Sequence, residues 1–208
     1  MRDDGLRSAN SMLRLPVSPV ADLAVLELTA MHERLLQRFF EANPEYFLAV
    51  NGEPAGPQEA FDEIHGELPA GWSYIKNWLL GYPDASGDLA AMANVTSDLL
   101  AAGVCHIGLF IVATARHGNG DARLLYRGLE DWAKSQGAAW LRLGVVEGNG
   151  RAERFWESCG FMQARTRSGV SMGKRVNTLR VMVKPLHGGT LEEYLQVIPR
   201  DRPDSDLP

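Results

Sequence analysis

The sequence predicts a mixed α/β chain of the α+β class, and three observations carry that expectation. Apolar periodicity switches along the chain in the order β-α-α-β-β-β-α-β-α-β-β. The 208 residues, 45% hydrophobic and 23% charged, suit one globular domain with a sizeable core. In the second half, an apolar strand runs through a glycine-rich corner, residues 118–122, into an amphipathic helix.

The elements follow in order. Residues 1–11 form a polar tail, and residues 12–15 read as a first strand, broken by Pro16 and Pro19. Asp22 is a suitable helix N-cap, and Leu28, Met31, Leu35 and Phe39 mark one helical face as far as Asn43-Pro44. A second helix opens at Pro57, with Phe61, Ile64 and Leu68 on one side. From Trp72 the pattern becomes strands at 73–80, 89–96 and 104–112, an antiparallel meander separated by Gly, Asp, Pro and Ser. Ala122, Leu125, Leu129 and Trp132 then define a helix that ends near Gly137. A strand at 139–146, a helix at 149–159 and strands at 161–167 and 176–186 complete a domain over residues 12–186. Residues 187–208 read as an extension, a short helix at 190–198 followed by a loose acidic tail from Asp201.

Composition narrows the function classes. The apolar run 104–115 is too short to span a bilayer and is interrupted by His106, and the opening residues lack an apolar signal core, so no membrane role and a cytoplasmic location are expected. Cys105 and Cys159 lack C-x-x-C spacing and read as small buried hydrophobes. The histidines stand singly, so no metal site is expected. A pI of about 5.6 argues against nucleic acid, and Arg165, Arg167, Lys174 and Arg175 read as a solvated hairpin. The net charge of −5 is unevenly placed: residues 1–100 hold 6 basic and 15 acidic side chains, residues 101–208 hold 15 and 11. An acidic half precedes a basic one, which suggests ligands of opposite sign.

The corner at Gly118-Asn119-Gly120 suits a phosphate, because glycines allow close backbone approach and the first helical N–H groups face outward unpaired. A P-loop is excluded, since no Gly-Lys-Ser/Thr occurs, and the third glycine of a dinucleotide fingerprint is missing. Two longer patterns do fit. His117-x-x-Gly120-x-Ala122 follows the strand, and Asn149-x-x-Ala152-x-x-Phe155-Trp156-Glu157-x-x-Gly160-Phe161 follows at a distance. With these, residues 104–186 resemble the GNAT superfamily of acyl-CoA-dependent N-acyltransferases, whose loop reads [Q/R]-x-x-G-x-[G/A] and whose core ends in N-x-x-A-x-x-[F/L]-[Y/W]-E-x-x-G-F. His117 replaces the usual Gln/Arg, and Thr114 stands where a proline is customary. Residues 43–47 and 81–83 also look like stretches of some small bacterial members.

The resemblance implies a mostly antiparallel, partly splayed seven-stranded sheet flanked by about four helices, with acetyl-CoA lying in the splay. Its pantetheine would pair with the backbone of Phe110, Ile111 and Val112. Its pyrophosphate would meet the loop His117, Gly118, Asn119, Gly120, Asp121 and Ala122, flanked by Arg116 and Arg123. Asn149, Ala152, Phe155 and Trp156 would line the far side. The implied reaction is attack of an amine on the thioester, for which a general base is useful because a free alkylamine is mostly protonated at neutral pH. His106 is the first candidate, since its even spacing from Gly108 and Phe110 places it on their face; Glu147, ending the next strand, is the second. A strand N–H near Phe110 to Ile111 would hold the developing oxyanion. Trp156 occupies the position where many members carry a tyrosine acid, so no acid is evident and a catalytically silent acyl-CoA-binding or sensor module is the alternative. The expected partner is a small-molecule amine, cationic if the acidic half frames it. The hairpin at 161–186 or the helix at 190–198 would offer a homodimer contact.

Overall fold

The computed structural model describes residues 14–207. Seven strands form one open sheet in the order β1-β2-β3-β4-β5-β7-β6. They are β1 (Leu26–Glu27), β2 (Lys76–Pro83), β3 (Leu89–Ser97), β4 (Val104–Val112), β5 (Trp140–Val146), β6 (Met162–Met172) and β7 (Arg175–Pro185). Every neighbouring pair is antiparallel except β4 and β5. These two run parallel because the helix between them, α4 (Asp121–Ser135), carries the chain back along the sheet before β5 begins.

One sheet face packs on α4 and α5 (Gly150–Ser158), through Leu125, Leu129, Trp132 and Trp156 against Ile107, Leu141, Leu143 and Val145. The other face is divided. Over β2 to β4 lie α1 (Glu33–Ala42), α2 (Glu45–Val50) and α3 (Glu59–His65), which bury Leu36, Phe39, Phe40 and Phe47 against Leu79, Met92, Leu109 and Ile111. Over β5 to β7 lies α6 (Leu191–Val197), whose Tyr194 packs with Ile198 against Trp140, Ala164 and Val183. The apolar face of α6 is thus occupied by the chain's own sheet.

Strand β4 shapes the middle of the molecule. Asn94 pairs with Leu109 and Val95 with Ile107, so Gly108 is an extra residue, a β-bulge. A bulge reverses the alternation of side chains. Before it Cys105 and Ile107 share the α4 side; after it Phe110 and Val112 do, while Leu109 and Ile111 face α1. It also bends β4 away from β5, whose pairing ends at Ile107–Leu143. Past that point the strands diverge, and the tip of the β6–β7 hairpin reaches across the gap to α2: Lys174 N donates to Asn51 O at 2.8 Å and Asn177 Nδ2 to Val50 O at 2.9 Å.

Several sequence expectations are corrected. Of the strand expected at 12–15, residues 12 and 13 lie outside the described residues, as does the tail 1–11, and Arg14 and Leu15 form no strand. Asp22 does not cap a helix: Leu28 is paired to Leu79 by its backbone, Met31 is exposed, and the helix begins only at Glu33. The helical spacing there arose from residues of two different elements. Helix α2 was missed because Pro44 reads as a stop, yet it stands just before the first turn, where proline is tolerated. The tail expected to be loose from Asp201 is anchored, because Asp201 is 1% exposed and ion-paired to Arg142.

Candidate active site

The divergence of β4 and β5 opens a passage through the sheet, and three contiguous cavities meet there. The first, about 260 Å³, lies in the split itself, between His106 to Phe110 and Arg142 to Val146. The second, about 330 Å³, lies beneath α2 and α3 and includes Glu59, Glu63 and Asn94. The third, about 220 Å³, runs along the end of β4 past Phe110, Ile111, Val112, His117 and Ala122 to Asn149, Ala152, Phe155 and Trp156. Tyr46 of α2 lines all three and is the sole hydroxyl in the first two among the described residues.

The loop at the far end of the third cavity offers unpaired backbone donors that can receive an anion. Gly118 and Gly120 have φ of 87° and 88°, the left-handed region that glycine adopts freely. Gly120 precedes α4 and has no side chain to cap it, and the N–H groups of residues 118–122 donate to no acceptor among the described residues. A Cβ added at either glycine would project into open space. Together these leave a ring of free amides at the positive end of a 15-residue helix, which fits a pyrophosphate without requiring side chains.

The surrounding side chains hold this loop in shape. His117 Nε2 donates to the Val112 carbonyl at 2.8 Å, so its ring braces the strand end instead of reaching toward a ligand. Thr114 N donates to Asn43 Oδ1 at 2.7 Å, and its hydroxyl to Glu45 at 2.7 Å, a backbone bond that the customary proline could not make. The flanking arginines are already engaged, contrary to expectation. Arg116 is paired with Asp22 at 2.5 Å and with Asp121 at 3.0 Å, and Arg123 is bonded to Ser158. Arg151, which sequence reasoning missed, is the cation that lines the third cavity.

On the far wall, Asn149 caps α5, its Oδ1 accepting from Ala152 N at 3.3 Å, which explains both residues of the N-x-x-A pattern. Phe155 stacks on Phe110 with ring centres 6.2 Å apart, and Trp156 tilts against the same ring at 5.8 Å. These contacts pack α5 against the diverging end of β4.

The two catalytic candidates fare differently from expectation. The bulge at Gly108 removes the even-spacing argument for His106, which lies on the face opposite Ile107 and pairs laterally with Arg142. Arg142 Nη1 lies 3.3 Å from His106 Nδ1. A guanidinium only donates, so Nδ1 accepts and the proton of the neutral ring sits on Nε2. Burial, then the Arg142 charge, push this imidazole down to about 3. His106 therefore lines the first cavity as a neutral N–H donor. Glu147 is exposed beyond β5 and lines none of the three cavities.

Glu63 of α3 is the carboxylate that sequence reasoning missed. It accepts from Asn94 Nδ2 at 2.6 Å, which aims it into the second cavity beside Glu59. Burial raises its pKa, the Asn94 bond opposes this, and the neighbouring Glu59 charge adds to the rise. Burial likewise raises the Tyr46 phenol, so it stays protonated. Neither residue belongs to a sequence motif; a half-buried helix carboxylate shows no periodic signal. Among the described residues, no group of three His, Cys, Asp or Glu is arranged to hold a metal, and no helix is long and apolar enough to cross a membrane.

Residues 27–161 match the Acetyltransferase (GNAT) family. Solved structures share the fold. The ribosomal-protein-S18-alanine N-acetyltransferase of Escherichia coli is 18% identical with a TM-score of 0.59, covering 81% of this chain and 96% of its own. The spermidine N-acetyltransferase of Vibrio cholerae, solved with CoA and spermine, is 17% identical with a TM-score of 0.61, covering 79% and 96%. A GCN5-related N-acetyltransferase of Kribbella flavida is 24% identical with a TM-score of 0.57, covering 79% and 98%. No curated protein sequence matches. The family match extends over most of the chain and contains the split strands, the amide ring and the α5 cap, and it places this chain in the GNAT acetyltransferase family.

Proposed function

We propose that the chain transfers an acetyl group from acetyl-CoA to the amine of a small acceptor. The observation that carries this is the continuity of the three cavities: a groove ending in free amides opens, through the β4–β5 split, into a chamber that holds Glu59 and the desolvated carboxylate of Glu63. Acetyl-CoA supplies an activated acyl thioester. The amides of residues 118–122 hold its diphosphate, with Arg151 adding charge, and the unpaired edge of Phe110 to Val112 offers backbone partners to its pantetheine arm.

The acceptor amine enters as an ammonium ion, and Glu59 and Glu63 supply the opposing charge that the acidic first half of the sequence suggested. Glu63 takes the proton, since a desolvated carboxylate is a stronger base than an exposed one. An N–H of the β4 edge, near Phe110 to Ile111, steadies the negative charge that develops on the carbonyl oxygen. The Tyr46 phenol returns a proton to the leaving thiolate, the task that Trp156 cannot perform.

The test is thiol release from acetyl-CoA across an amine panel. Acceptor-dependent release is expected, and Glu63→Gln is expected to lower kcat by about a hundredfold or more while KM for acetyl-CoA stays put. Tight acetyl-CoA binding with no acceptor-dependent release would favour the silent binding module instead.

A further inference from the structure

Arginine is concentrated on the side of the split away from α4, in the corner where β6 meets the C-terminal turn Pro199–Asp201. Arg142 of β5 and Arg167 of β6 both line the first cavity, as does Trp72, and the Arg200 guanidinium stacks 4.4 Å above the Trp72 ring. Arg165, next but one to Arg167, bonds the carbonyls of Arg200 and Ser205, which fastens this turn against the strand. Among the described residues one carboxylate, Asp201, serves the group, and it is committed to Arg142 through bonds of 2.7 and 3.0 Å. The Arg167 side chain has no hydrogen bond or ion pair among the described residues, and Arg200 donates none from its side chain.

An uncompensated arginine facing a cavity, with other guanidinium groups close by, is a costly arrangement unless an anion joins it. Burial and the crowding of positive charge both disfavour the charged forms. Burial lowers the Arg167 pKa, and Arg142 and Arg165 lower it further; Arg200 is lowered by burial and then by Arg142 and Arg167. The first cavity is continuous with the carboxylate-bearing second one through Tyr46, Val50, Gly108, Leu109 and Met172. An acceptor lying in this trough meets carboxylates at one end and arginines at the other.

We infer that the acceptor is an amine that also carries an anionic group, a carboxylate or a phosphate, which Arg167 and Arg200 hold beside Trp72. This rests on the acetyl-transfer reading and adds the substrate class. The charge count by halves points to a simple cation because it averages over many surface residues, whereas the trough draws on both halves at once. A polyamine would bring further positive charge to a corner that already lacks anions.

Matched acceptors test this by initial rates of thiol release. The pairs are 5-aminopentanoate against 1,5-diaminopentane and lysine against lysinamide, with O-phosphoethanolamine against ethanolamine separating phosphate from carboxylate as the anion. The wild-type chain is expected to favour an anionic member by roughly ten- to a hundredfold in kcat/KM, the range of a charged hydrogen bond. Arg167→Gln is expected to abolish that preference through the acceptor KM while leaving KM for acetyl-CoA unchanged, and Arg167→Lys to restore part of it. Arg200→Gln, at a site on the surface turn, provides a second variant should Arg167→Gln unfold. Acetyl transfer with the uncharged or cationic members preferred, or a preference indifferent to both arginine variants, overturns this inference alone. Acetyl-CoA binding with no acceptor turned over overturns the transfer reading and this inference with it.

Discussion

Asp201→Asn is the most exposing test of how the C-terminal turn is held. Asp201 is 1% exposed and Arg142 4%, and the pair is joined by Arg142 Nε to Oδ2 at 2.7 Å and Nη2 to Oδ1 at 3.0 Å, with Tyr194 Oη donating to Oδ2 at 2.5 Å. The substitution keeps the shape and removes the charge, leaving a buried guanidinium without its counter-ion. Breaking one partner of such a pair costs about 3–5 kcal/mol. For a chain of this size each kcal/mol lowers Tm by about 2–4 °C, so a fall of roughly 6–20 °C is expected in a thermal melt followed by circular dichroism. Removing both charges in Arg142→Met with Asp201→Leu should recover part of the loss, because no ion is then left desolvated while the buried Tyr194 hydroxyl loses its acceptor. A fall of under about 2 °C for Asp201→Asn would refute the account. Acid should act in the same direction. Burial pushes the Asp201 carboxyl up, but the Arg142 bonds and charge, helped by Tyr194, outweigh it and hold the pKa below its usual 3.8. A depressed carboxyl contributes fully above its unfolded value, and the contribution is lost as pH falls below about 3.8 toward the lower folded value.

Other expectations follow from the site. Gly120→Ala forces a Cβ onto a φ of 88°, costing about 1–2 kcal/mol in stability and disturbing the backbone that carries the free amides. Calorimetric titration should show weaker CoA binding than in the wild-type chain, and unchanged affinity would argue against the ring as the diphosphate seat. His106 should remain neutral in the folded chain down to about pH 3, with its proton on Nε2; a ring titration by NMR with a midpoint near 6.5 would contradict this. Because the unfolded ring takes up its proton near 6.5 and the folded ring only near 3, His106 also makes stability decline as pH falls through that interval. Tyr46→Phe should lower kcat by about tenfold or more, whereas Trp156→Phe, which preserves the aromatic packing on Phe110, should change kcat little.

What could be read from the sequence follows chemical range. Strand β4 was placed at 104–112 as observed, and α4, β5 and α5 to within a residue or two, because each has a full apolar period and a glycine or asparagine boundary of its own. The glycine corner at residues 118–122 was equally legible, since glycine spacing alone arranges its left-handed turns and free backbone amides. Errors gathered in the first 66 residues, where short elements join and Leu28, Met31 and Leu35 imitate one helix while belonging to a strand end, a 3₁₀ turn and α1.

The sequence by itself therefore determined the fold class, the glycine corner before α4 and the extent of α5, all consequences of residue spacing. The tertiary structure decided the rest. A one-residue bulge at Gly108 changed which face His106 occupies, and the pairing of His106 with Arg142, 36 positions away, turned a candidate base into a neutral donor. Glu63 became a candidate base through Asn94, and Asp201 an anchor through Arg142, partners 31 and 59 positions distant. Proton affinity depends on desolvation and on the nearest charges, and those neighbours exist only once the strands have closed on one another.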